Sequence, residues 1–129
     1  MATAKEREEF IAAMVREFPN KSADSVAQLA RLLLRHAKTH GRLAEETYNG
    51  HPAQGSPSLP AATINRLQEK WDARIARQEK QVERRMSEIA AELGAKIDFG
   101  GDPRGYTVKL ILPSGHSNTW GQDGFGIPQ

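Results

Sequence analysis

Apolar residues recur at helical spacing from the start of the chain. Phe10, Ile11, Met14, Val15 and Phe18 alternate with charged positions and predict a first helix over about Lys5–Phe18. Pro19-Asn20 stops it, and Ser22 or Asp24 is the candidate N-cap of a second helix. Val26, Leu29, Leu32 and Leu33 form the apolar face of that helix. Joined by so tight a turn, the pair reads as an N-terminal helical hairpin within residues 1–47.

Residues 48–60 break the pattern. Three prolines and two glycines in Asn-Gly-His-Pro-Ala-Gln-Gly-Ser-Pro-Ser-Leu-Pro forbid regular structure, so this is a linker. A long amphipathic helix follows over 61–93. Its stripe is Ile64, Leu67, Trp71, Ile75, Val82, Met86, Ile89 and Leu93, interrupted at Gln78. At 1.5 Å per residue the rod is about 50 Å long. The first two helices read as roughly half that length, by the same rise per residue. Part of the stripe is therefore expected to pack on something else, either the C-terminal sheet or a second copy of the chain in a homodimer.

Gly94 is the natural residue to end the long helix. Strands are expected over Ala95–Phe99, Tyr106–Leu112 and Ser117–Trp120. In the central strand Tyr106, Val108, Leu110 and Leu112 share one face, and Thr107, Lys109 and Ile111 the other. The turns are Gly-Gly-Asp-Pro-Arg-Gly and Pro-Ser-Gly-His. The tail from Gly121, with its glycines and proline, is expected to be irregular. The fold class is α+β: a helical hairpin, one long helix and a three-stranded antiparallel β-meander in a single domain over 1–129.

Composition narrows the function classes. Apolar residues make up 38% of the 129 positions and aromatics 6%, which suits a solvent-rich helical protein with a thin core. Eighteen Lys and Arg against 16 Asp and Glu leave a net charge of only +2, too little to imply nucleic acid by itself. The absence of cysteine excludes disulfides, thiol nucleophiles and cysteine metal sites. The N-terminal residues form no apolar leader, and no apolar run approaches membrane-spanning length, so a soluble intracellular protein is expected.

Candidate chemistry is sparse. Asp102-Pro103-Arg104-Gly105 is a rigid turn that presents the Arg104 guanidinium to a carboxylate or phosphate, unless Asp102 or a helix acid takes it. Tyr106 and Trp120, with Phe99 and Phe125, form either the core of the sheet or a stacking and anchoring surface. On the long helix Arg66, Lys70, Arg74 and Arg77, extended by Arg84 and Arg85, form a basic ridge. Glu69, Asp72, Glu79 and Glu83 on neighbouring faces dilute it, so it is a solvated face or a contact for nucleic acid or an acidic protein. His36 and His40, four apart, are placed to face one metal, but two ligands do not make a site. Ser114 and His116 are too local for a nucleophile and its base, and Asp98 with Lys109 gives only a faint likeness to a metal-dependent nuclease or hydrolase. The Gly-rich tail is not a phosphate loop. No metal or other cofactor is expected, and no enzymatic activity.

The run Gly-Asp-Pro-Arg-Gly-Tyr-Thr-Val-Lys-Leu, with Leu-Pro-Ser-Gly and Asn-Thr-Trp-Gly after it, resembles small uncharacterised bacteriophage and prophage proteins. Leu29–Ala37 is similar to the same group. The resemblance implies a protein made in the cytoplasm of a bacterial host, and it brings no activity to transfer. The function expected is non-catalytic binding to a host protein complex, as a phage-encoded inhibitor of bacterial defence of the anti-CRISPR kind. The contact residues would be Arg104, Tyr106, Trp120, Arg66, Lys70, Arg74 and Arg77. The alternative is a nucleic-acid-binding accessory protein that uses the basic ridge, and a third reading is a small metal-dependent nuclease or hydrolase built on Asp98, Lys109 or His116.

Overall fold

A computed structural model describes residues 3–48, 60–102, 105–113 and 117–120, with the side chains of 101–106 and 117–120 excepted. The order of elements is α1 (Ala4–Arg16), α2 (Ala23–Tyr48), α3 (Ala61–Glu92), β1 (Lys96–Asp102), β2 (Gly105–Ile111) and β3 (Ser117–Trp120). The architecture is α+β and mostly helical. Among the described residues no helix is long and apolar enough to cross a membrane.

Helix α1 begins at Thr3, whose Oγ1 accepts the Glu6 N–H at 3.1 Å. It ends two residues before the expected Phe18. Pro19 disfavours helical backbone at the residue before it, and the last turn tightens through Glu17 N–H to Met14 O and Phe18 N–H to Val15 O. Phe10, Met14 and Phe18 are buried. The chain re-enters helix at once, with the Ser22 hydroxyl accepting the Ser25 N–H at 3.4 Å.

The second helix departs from expectation. α2 has 26 residues against 32 in α3, not half the length. Its inward stripe does not stop at Leu33 but continues through His36, His40, Leu43 and Thr47, all buried. Polar residues on that stripe conceal the continuation from a hydrophobicity count. The long α2 gives α3 a partner along most of its length, so Trp71, Met86, Ile89 and Leu93 are buried and Ile75 and Val82 half-buried. The surplus apolar length that called for a second copy shrinks to the half-buried Ile64 and Leu67 at the start of α3.

The end of α3 is closed by Gly94 at φ +75°, the left-handed region that glycine enters without strain. Its N–H bonds Ala91 O, and the Ala95 N–H bonds Ala90 O at 2.8 Å, capping the last carbonyls and reversing the chain into β1. A Cβ at Gly94 would meet Pro113 Cγ at 3.4 Å.

The strands run β1-β2-β3, with both pairings antiparallel. Ile97 pairs with Leu110 and Phe99 with Val108, so the apolar side chains of β1 and β2 align. Ile97, Val108, Leu110 and Leu112 are buried, while Lys96, Asp98 and Lys109 are exposed. This is the face assignment expected for Val108, Leu110 and Leu112 on the central strand.

Two apolar clusters result. The larger joins Phe10, Met14 and Phe18 of α1, the Val26–Ala37 part of α2, Met86–Leu93 of α3 and the inner face of the sheet. The smaller lies toward the other end of α2 and α3 and consists of Leu43, Ala44 and Trp71, with Ile75 packed against it.

Candidate functional site

Between the two clusters the α2–α3 interface is polar. His36 of α2 meets Glu83 of α3 and acts on the charge of Glu79, one turn before Glu83, while His40 lies one turn along α2 against Trp71. The His36 Nε2 atom lies 3.8 Å from Glu83 Oε2, an ion pair when the imidazole is protonated. The His36 ring packs at 5.1 Å against Phe99 of β1, and the His40 ring meets Trp71 edge-on at 4.5 Å. The two histidines thus serve as packing groups of this seam, with His36 also placed beside Glu83. Among the described residues no three His, Cys, Asp or Glu are grouped to hold a metal ion.

Glu79 is the residue that the sequence reading missed. Charge alone makes it a surface acid that dilutes the ridge, yet it is only 6% exposed. The signal was its position four residues after Ile75 and three before Val82, on the apolar stripe itself. Gln78, read as the interruption of the stripe, instead lies exposed and accepts a hydrogen bond from Arg42 at 3.4 Å.

Burial raises the Glu79 carboxyl above its ordinary value, because the charged form loses hydration. The positive field of His36, a hydrogen bond from Thr39 and the charge of Arg35 oppose the rise, while Glu83 adds to it. Its Oε2 has no hydrogen-bond partner among the described residues. A carboxyl whose folded-state pKa is raised favours folding most when protonated. That contribution is complete below the unfolded-state pKa and is lost as pH rises through the folded-state value. Glu79→Gln is therefore expected to raise stability at neutral pH by roughly 1 kcal/mol and to flatten its fall above the ordinary carboxyl range. Urea midpoints measured across pH check this; an unchanged pH profile would show that Glu79 is ionised without penalty.

The structure also redraws the basic ridge. Arg74 leaves it: its guanidinium turns toward α2, bonding Glu46 Oε2 at 2.6 Å and Thr47 Oγ1 at 3.0 Å. The same Glu46 carboxylate takes Arg42 at 2.9 Å, and the two guanidinium hydrogen bonds hold its carboxyl below the usual range. Arg74 is thus a latch between two helices. The reason is angular. At 100° per residue, Arg74 lies about 80° from Arg66 around the axis, toward the flank that meets α2. Lys80 and Arg84 return to within about 40° of Arg66, as do Lys70 and Arg77.

The outer face of α3 thus carries Arg66, Lys70, Arg77, Lys80 and Arg84, all exposed. None of the five side chains has an ion-pair or hydrogen-bond partner among the described residues. Of the neighbouring acids, Glu79 and Glu83 turn into the seam, Asp72 accepts from Gln68 and Glu88 faces Arg85. Glu69 remains exposed beside the row. On α3, Glu79 and Glu83 lie in the seam, while Glu69, Asp72, Glu88 and Glu92 share the exposed surface with the cations. α2 carries a similar row in Arg31, Arg35 and Lys38, exposed at spacings of four and three.

Asp98 and Lys109 are direct cross-strand partners on the exposed face of the sheet. Tyr106 stands on β2 opposite Gly101, and Trp120 on β3 opposite Val108, but the side chains of both lie outside the described residues. Arg104, Ser114, His116 and Phe125, with the linker 49–59 and the tail 121–129, lie outside them too. Phe99 is half-buried against the large cluster. A surface cavity of about 430 Å³ opens where the α1–α2 turn meets the end of β2, between Arg16, Lys21 and Pro113, with Phe18 and Leu112 beneath. Comparison with protein-family models, with curated proteins and with solved structures returns no match for this chain.

Proposed function

We propose that the protein is a non-catalytic binding protein whose contact surface is the outer face of α3. The helical hairpin of α1 and α2 and the three-stranded meander serve as its scaffold. The observation that carries this reading is the row Arg66, Lys70, Arg77, Lys80 and Arg84, exposed and without acidic partners among the described residues. A helix that needed only solubility would have its charges balanced along that face. Unrelieved like charge repels along the helix by a few tenths of a kcal/mol per pair, and a polyanionic partner relieves it.

The likeness of the C-terminal motif to phage and prophage proteins supports a bacterial macromolecule as the partner. Inhibition of a host defence complex is the form of activity that such a context suggests. Arg104, Tyr106 and Trp120 belong to this reading as further contact residues at the sheet end.

Affinity capture from bacterial lysate tests it. The protein is expected to retain a specific partner, and a Lys80→Glu/Arg84→Glu variant of unchanged stability is expected to lose it. A preparation that retains nothing, yet turns over a substrate in a manner abolished by Lys109→Ala, would replace this reading with the hydrolase.

A further inference from the structure

We infer that the outer face of α3 is built to lie along the sugar–phosphate backbone of a DNA duplex, without reading its sequence. The inference rests on the binding reading above and names its partner. From Arg66 to Arg84 the row spans eighteen residues, about 27 Å of straight helix at 1.5 Å per residue. Its members therefore hold fixed separations along a line. Such an array suits a partner whose charges are equally regular and dense. A DNA duplex presents one phosphate charge per roughly 1.7 Å of axis, both strands counted, a dense and regular array of the opposite sign to the row.

The composition of the face argues against the alternatives. Binding to single strands leans on aromatic side chains on which bases stack. The one aromatic of α3 is Trp71, which is 3% exposed and packed against His40 and Leu43 on the opposite side. The outer face offers charge and no stacking platform. A protein–protein contact of ordinary affinity needs a buried apolar or aromatic anchor at its centre. Here the centre of the face is Ala73 between Lys70 and Arg77, a small side chain in a cationic row. The Arg31, Arg35 and Lys38 row on α2 adds to the positive potential of the helical pair. Net charge did not signal this, because it sums acids over the whole chain, including exposed ones on other elements such as Glu8, Glu9 and Glu45, whereas the row is local to one face of α3.

Fluorescence anisotropy with a labelled DNA duplex two helical turns long tests the inference, using the full chain. Five phosphate contacts predict a slope of log K against log salt of about −4.5, a loss of roughly 500-fold between about 50 and 200 mM salt. Arg77→Gln/Arg84→Gln is expected to reduce that slope by about 2, uniformly across duplex sequences. Arg85→Gln, off the row and engaged with Glu88, is expected to leave it unchanged. Duplex binding that is insensitive to salt or to the double variant overturns the inference, as does tighter binding of the corresponding single strand. Polyglutamate is the second probe. Should it bind wild type and not the double variant while the duplex does not bind, the DNA assignment fails and the binding reading stands. If neither binds, both fall.

Discussion

Trp71→Ala is expected to cost about 3–5 kcal/mol, the range for removing a fully buried large aromatic. Trp71 is 3% exposed and is the largest described member of the small cluster, whose other described buried residues are Leu43 and Ala44. Its indole edge also supports the His40 ring at 4.5 Å. The next layer toward the main core is the ionisable seam, which supplies no apolar side chain to refill the space beyond Ile75. The loss should therefore be local before it is global. Hydrogen exchange in the variant is expected to accelerate first in the N-terminal half of α3 and the C-terminal half of α2, while the Met86–Leu93 segment and the sheet keep their protection. Trp71→Phe keeps most of the ring and removes an indole N–H that has no partner among the described residues, so its cost should be well below that of Ala. A Trp71→Ala variant that lost less than about 1 kcal/mol, or exchanged uniformly, would show that the two ends of α3 fold as one unit.

Leu110→Ala is the second large effect, about 2–5 kcal/mol. Leu110 is fully buried near the end of β2, paired with Ile97 on one side and Asn118 on the other, and it belongs to the cluster shared by all three helices. The neighbouring substitution Lys109→Ala falls on the exposed face and should stay within about 0.5 kcal/mol of wild type. Urea unfolding of both variants measures the contrast directly. Equal effects would mean that the sheet is not packed on the helices through the Val108–Leu110–Leu112 face.

These expectations also show what the sequence made legible. The outward and inward faces of β2, the α3 stripe and the Gly94 turn each follow from local rules: alternation by two, recurrence by three or four, and a backbone angle that favours glycine. What escaped was decided between elements. α2 was read as short because His36, His40 and Thr47 replaced leucines on its stripe. Their burial depends on α3, where Glu83 meets His36, Trp71 packs on His40 and Arg74 bonds Thr47. Arg74 was placed on the ridge because spacing alone carries no reference direction. The buried sector fixed by Trp71, Ile75 and Met86 supplies that direction, moving Arg74 to the flank and bringing Lys80 and Arg84 into the row. Glu79 was overlooked because a charge was presumed to face water, although its place on the stripe was readable.

The outer surface of the sheet has a consequence for how the chain avoids misassembly. Lys96 and Asp98 alternate with Ile97 and Phe99 along β1, and Asp98 stands opposite Lys109. Sliding β1 by one residue against β2 would turn an ammonium and a carboxylate toward the large apolar cluster and strand Ile97 and Phe99 in water. A mispaired strand, whether from the same molecule or another, is penalised at every second position, which protects an open-edged sheet from templated aggregation.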